Sequence, residues 1–133
     1  MRTNISSGAP WEPIVGYSRA VKVDRHVWVA GTTGTIDGKV VGPGLYEQTV
    51  QAIRNVEAAL VKSGGSLRSV VRTRIYLTDI RQWGEAARAH REFFGDIRPA
   101  CTMIGVPALV DPSMVVEVEA DAVLDAAEQM LQG

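Results

Sequence analysis

Between residues 69 and 79 the chain reads SVVRTRIYLTD, and its character changes at every step. Val71, Thr73, Ile75 and Leu77 fall on one side of an extended chain and Arg72, Arg74, Tyr76 and Thr78 on the other, which predicts a strand with two unlike faces. Upstream, in GLYEQTVQAIRNVEAALVKSGG (44–65), Leu45, Val50, Ile53, Val56 and Leu60 recur at helical spacing, and Gly64-Gly65 supplies a stop. That stretch predicts a long amphipathic helix. Downstream, Asp79 suits the N-cap of a second helix, IRQWGEAARAHREFFGD, whose Ile80, Trp83, Ala87, His90 and Phe94 share a stripe.

The remaining segments complete the pattern. YSRAVKV (17–23) and HVWVAGT (26–32) are β-rich runs either side of Asp24-Arg25 and predict a hairpin. Residues 31–44 read as a glycine-rich loop with a small IDGK turn inside it. ACTMIGVPAL (100–109) and MVVEVEADAVL (114–124) predict two more strands, and the tail DAAEQMLQG a short helix. The order β-β-α-β-α-β-β over 1–133 is that of a single α+β domain, with two helices covering one face of a mixed sheet. On the other face the last strand would carry Glu117, Glu119 and Asp121 in a row, against Arg72 and Arg74, an arrangement suited to cross-strand ion pairs. Such a face can simply be solvated. With Tyr76, Trp28 and Met103 assigned to it as well, it holds more apolar bulk than solvation needs, which favours burial against neighbouring subunits.

Composition narrows the classes. A chain of 133 residues with net charge −1 and interspersed acids and bases lacks the basic stripe that phosphate neutralisation demands, so no nucleic-acid partner is expected. No run approaches the roughly 18 apolar residues of a membrane span. The opening MRTNISSGAPWEP has no apolar core of the signal-peptide kind, and the single cysteine, Cys101, cannot form an internal disulfide. The expectation is a cytoplasmic protein with no membrane association. His26 and His90 are far apart, and metal-ligand spacings, dinucleotide loops and phosphate loops are all missing. Neither a metal nor a cofactor is therefore expected.

Several blocks in order, GYSRAV, VWVAGTTG, VVRTRIYLTDI, IRPACTM and VVEVEADAV, together resemble the YjgF/RidA family of reactive-intermediate (enamine/imine) deaminases, also called L-PSP endoribonucleases. The resemblance implies a chorismate-mutase-like fold assembled as a homotrimer, with sheets around a central barrel and three ligand clefts between subunits. It also implies site residues. A glutamate that positions the attacking water falls on Glu117, and a pocket tyrosine on Tyr17. The segment after the second strand falls on Ala30, Gly31 and Thr32, Ala30 standing where the deaminase branch has a serine.

The deaminase branch also has an arginine that clamps the substrate carboxylate, and this position falls on Cys101. A neutral thiol cannot supply a bidentate, charge-assisted grip, and its loss in a desolvated pocket costs on the order of 2–4 kcal/mol. Ala87 stands where that branch has an asparagine. The chain thus resembles an arginine-lacking branch of the family, not adapted to the standard 2-aminoacrylate substrate.

Each candidate has a plainer reading. Cys101 can be a nucleophile, a cleft wall or packing; a catalytic thiol wants a base or positive field close by. Glu117 can position water or can pair with Arg72 or Arg74 to hold subunits together. The lost clamping role can pass to Arg19 or Arg74, and Arg19 shares strand parity with Tyr17. Gly31 allows close approach to the main chain, Thr32 and Thr33 offer hydroxyls or backbone donors, and Thr102 is a cleft wall. Trp83 and Phe93-Phe94 fit core spacing, and Trp11 can cap a neighbour's cleft or dock on its own subunit. The expected function is cofactor-free hydrolysis of an imine, enamine or related reactive amino compound at intersubunit clefts. The alternative is a non-catalytic trimer that binds a metabolite as sensor or scavenger.

Overall fold

The computed structural model describes residues 1–125; the expected tail helix, from 125 on, lies outside the described residues but for its first. Strand β1 (Arg2–Ile5) is followed by a short helix α1 (Trp11–Val15), then β2 (Ala20–Val23) and β3 (His26–Thr32). A small hairpin, β4 (Thr35–Ile36) and β5 (Lys39–Val40), leads into α2 (Leu45–Lys62). Then come β6 (Val70–Leu77), α3 (Trp83–Phe94), β7 (Ala100–Gly105) and β8 (Val116–Val123). The main sheet runs β1-β2-β3-β8-β6-β7, and only the β6–β7 pairing is parallel. This is the mixed α+β sheet expected from the alternation, extended at one edge by β1, which the polar N-terminal sequence concealed.

Both helices lie on one face. Ala52, Ile53, Val56, Ala59 and Leu60 of α2 are buried against Val27, Val29, Ile75, Leu77, Val116, Val118 and Ala120 of the sheet, and α3 packs on α2. Helix α2 begins where the Glu47 carboxylate accepts the Gly44 N–H at 2.9 Å and ends at Gly64, whose φ of 89° suits glycine. Gln48, wholly buried on α2, donates to the carbonyls of Gly42 and Ser113 and accepts the Val115 N–H. It thereby ties the loop before α2 to the loop before β8 and fixes Met114, a wall of the cavity described below.

Four side-chain assignments differ from the sequence pattern. Val71 is 48% exposed, because the β6–β8 register shifts between Val70 and Arg72; the bulge turns Val70 inward and Val71 out. Ile80 and Trp83 are 43% and 58% exposed. Residues 80–82 form a 3₁₀ turn, begun by Asp79 accepting the Arg81 N–H at 3.1 Å, and this resets the helical phase. The buried face of α3 is accordingly Ala86, Ala89 and Phe94. Met103 lies opposite Ile75 in the ladder and packs on the core, not on the reverse face.

Candidate functional site

The site grows from two local irregularities beside the sheet. In β3, Val29 pairs with Ala120 and Thr32 with Val118, so Ala30 and Gly31 bulge where a regular strand would place one residue. Just before β2, Tyr17 and Arg19 point the same way, as their parity predicts. Arg19, 8% exposed, donates from Nη1 to the Gly31 carbonyl at 2.5 Å and to Thr32 Oγ1 at 3.1 Å. Its Nη2 donates to the Tyr17 hydroxyl at 3.0 Å, and its Nε to Ser7 Oγ at 3.4 Å. One guanidinium thus holds the bulge, the tyrosine and the N-terminal arm.

Glu117 enters from β8 and lies against Gly31: a β-carbon there would meet the Glu117 Cδ and Oε1 at 2.7 Å. Glu119, two residues on and so on the same face, accepts a short hydrogen bond from the Tyr76 hydroxyl. A cavity of about 480 Å³ opens beside these groups, walled by Trp11, Tyr17, Arg19, Tyr76, Glu117 and Glu119, with Ala30 and Gly31 at its base. Burial raises the Glu117 carboxyl above its ordinary 4.5, the Glu119 charge adds to this, and Arg19 opposes it. The Tyr76 phenol is raised by its bond to Glu119, then by burial.

Glu117 has no hydrogen-bond or ion-pair partner among the described residues. In particular it does not pair with Arg72 or Arg74. The cross-strand pairing expected on this face is made instead by Arg74 and Asp121, at 3.3 Å, while Arg72 donates to Thr102 Oγ1 at 3.1 Å and its buried Nε has no partner among the described residues. Among the described residues no group of three or more His, Cys, Asp or Glu is placed to hold a metal ion. No helix among them is long and apolar enough to cross a membrane.

Of the residues singled out in the sequence, Tyr17, Arg19, Ala30, Gly31 and Glu117 come together at this cavity. Thr32 lies behind it, buried, and lines a larger cavity of about 720 Å³ between the N-terminal arm, α2 and the β4–β5 hairpin; Arg19 reaches both. Arg74, Cys101 and Thr102 do not line the smaller cavity within one subunit. Cys101 is exposed on the edge strand β7 and pairs in register with Thr73, whose side chain faces the helices. Trp11, half-buried, lines both cavities of its own subunit. The sequence pattern gives Tyr76 no part in the site and Glu119 only a place in the acidic row facing Arg72 and Arg74; parity with Glu117 is the available signal for Glu119.

The family model described as Endoribonuclease L-PSP matches residues 7–124. A Mycobacterium tuberculosis protein described as a member of the YjgF/YER057c/UK114 family is 48% identical in its crystal structure, which superposes with a TM-score of 0.87 over 93% of this chain and 100% of that one. The chain belongs to the YjgF/RidA family. Among other similar proteins, an uncharacterized Streptomyces coelicolor protein is 37% identical over 93% of each chain. The rat protein named 2-iminobutanoate/2-iminopropanoate deaminase is 34% identical over 92% of this chain and 90% of its own. Membership of the YjgF/RidA family supports a deaminase-type enzyme at the level of the family.

Proposed function

We infer that this protein is a cofactor-independent hydrolase of imines or enamines, with Glu117 as the acid-base group. The observation that carries the reading is a half-buried carboxyl that lacks a hydrogen-bond or ion-pair partner among the described residues, faces a cavity and has its pKa raised by burial. A carboxylate so held can accept a proton from water as the water oxygen bonds to the carbon of a protonated C=N group and the π electrons pass to nitrogen, giving a neutral carbinolamine. Protonation of that nitrogen by Glu117 then lets the C–N bond break. Ammonia leaves, the carbonyl forms and the hydroxyl proton passes to the carboxylate and on to the released ammonia, so one water is consumed per ammonium formed and the carboxylate is regenerated. Tyr17, Gly31 and Thr32 are held in place by Arg19, which makes Arg19 a positioning residue in this reading.

The active form in this reading is a homotrimer. Trp28 is 46% and Ile104 44% exposed on the sheet face that also carries Tyr76 and the Arg74–Asp121 pair, an apolar and charged mixture suited to a subunit interface. A neighbour's β7 would bring Cys101 and Thr102 towards the cleft. The second reading, a non-catalytic metabolite receptor, draws support from the same arginine: with its donors committed inside the protein, the cavity lacks the expected substrate clamp. Ammonia release from imines generated in situ by an amino-acid oxidase separates the two. Release that falls about 100-fold or more in Glu117→Gln supports hydrolysis, and equal rates in both proteins overturn it. Sedimentation that finds single subunits overturns the trimer.

A further inference from the structure

We propose that the cavity selects a small organic cation, an iminium or ammonium compound without a carboxylate; the inference rests on the imine-hydrolysis reading of the same site. The argument begins with the charges that face the cavity. Two carboxylates, Glu117 and Glu119, and one guanidinium, Arg19, line it. Glu119 accepts from Tyr76, and Glu117 has no hydrogen-bond partner among the described residues.

The guanidinium is not available to an anion. A carboxylate is gripped best by two parallel N–H groups on one edge of the fork. Here Nη1 already faces two acceptors, the Gly31 carbonyl and Thr32 Oγ1, while Nε and Nη2 are taken by Ser7 and Tyr17. Each edge therefore contains a committed donor. An entering carboxylate would have to dismantle the support of the Gly31 bulge or do without a clamp, while lying close to two acids. The other arginines of the sheet offer no substitute within the chain, because Arg72 and Arg74 point to Thr102 and Asp121 and neither lines the cavity.

A cation meets the opposite conditions. Glu117 and Glu119 attract it, and two aromatic residues, Trp11 and Tyr76, stand in the same wall beside Tyr17, whose ring already carries the Arg19 guanidinium at 5.4 Å; aromatic residues and carboxylates together suit an ammonium group. A volume of about 480 Å³ accommodates a compact ligand of small-metabolite size. An iminium is also the more electrophilic form of a C=N bond, so binding the cation would place the reactive species beside Glu117.

Three ligands of similar shape test the proposal on the full-length protein: cyclohexylammonium, cyclohexanecarboxylate and cyclohexanol, compared by titration calorimetry. The ammonium is expected to bind at least about tenfold more tightly than the carboxylate, and its affinity to fall with added salt while that of cyclohexanol does not. Glu119→Gln should reduce ammonium affinity about tenfold and leave cyclohexanol unchanged; the salt series gives an answer if that variant fails to fold. Equal or tighter binding of the carboxylate overturns the proposal, as does no heat from the ammonium at millimolar concentration. Ammonium preference without turnover of any imine would sustain the selectivity and sink the hydrolase reading. Anion preference with Glu117-dependent turnover would do the reverse.

Discussion

A β-carbon on Gly31 would lie 2.7 Å from both Cδ and Oε1 of Glu117, so the bulge in β3 and the carboxyl on β8 share one small volume. The clash falls on the end of a flexible side chain, not on backbone. Gly31→Ala should therefore fold normally while pushing the carboxyl aside. A misplacement of that kind costs about 10- to 100-fold in turnover, and circular dichroism should be unchanged. The diagnostic is the double variant: Gly31→Ala should cost almost nothing further in a Glu117→Gln background, and independent losses in ammonia release would show that the two residues do not act through one another.

Glu117 also makes a prediction about stability. Its carboxyl titrates above the ordinary 4.5 in the folded protein, chiefly through burial. In the window between 4.5 and that raised value the folded state binds more protons than the unfolded chain, so the carboxyl costs stability at neutral pH and is relieved as pH falls. Glu117→Gln should accordingly raise the unfolding free energy at pH 7 by about 0.5–1 kcal/mol, allowing for partial solvent screening. The gain should vanish on approach to pH 4. Urea titrations at the two pH values check it, and a variant less stable at pH 7 would mean that the carboxyl has a stabilising partner.

Arg19 separates support from charge. Lysine keeps the cation but cannot cover the Gly31 carbonyl, Thr32, Tyr17 and Ser7 together, and methionine keeps the stem and loses both functions. Each substitution should destabilise the protein by about 1–3 kcal/mol in urea. They should differ in the pH-rate profile. The Arg19 charge lowers the Glu117 pKa, so Arg19→Met should move the acidic limb upward, whereas Arg19→Lys should move it less. Identical profiles would mean that Arg19 acts through geometry alone.

Much of this was legible in the sequence, and the reasons it stopped are physical. The periodicity of Ile53, Val56 and Leu60, and the alternation of Val116, Val118 and Ala120, located the core because each side chain has one face to bury. The parity of Tyr17 and Arg19 placed both at the cavity. Alternation fails where a residue is inserted, and both bulges did this: one turned Val71 outward, the other brought Gly31 against Glu117. The phase of α3 was lost to a 3₁₀ turn that no hydrophobic pattern records. Cys101 and Thr102 sit on an edge strand, where a side chain's surroundings depend on what lies beyond the sheet, and the order of residues in one chain carries no register for that.

His90 gives a prediction independent of the cavity. Its Nε2 lies 2.9 Å from Thr73 Oγ1 and its ring 4.6 Å from that of Phe94. Burial holds its pKa below the ordinary 6.5, so the folded protein keeps the imidazole neutral at a pH where the unfolded chain is already protonated. The stability this gives is fully present above about pH 6.5 and is lost as pH falls towards the lowered folded value, at up to about 1.4 kcal/mol per pH unit. His90→Gln retains a hydrogen-bonding group for Thr73 but cannot titrate. Urea unfolding between pH 7.5 and 5.5 should fall more steeply for the wild type than for this variant, with carboxylates contributing equally to both. Parallel curves would assign the acid sensitivity to other groups and leave His90 as packing for Phe94.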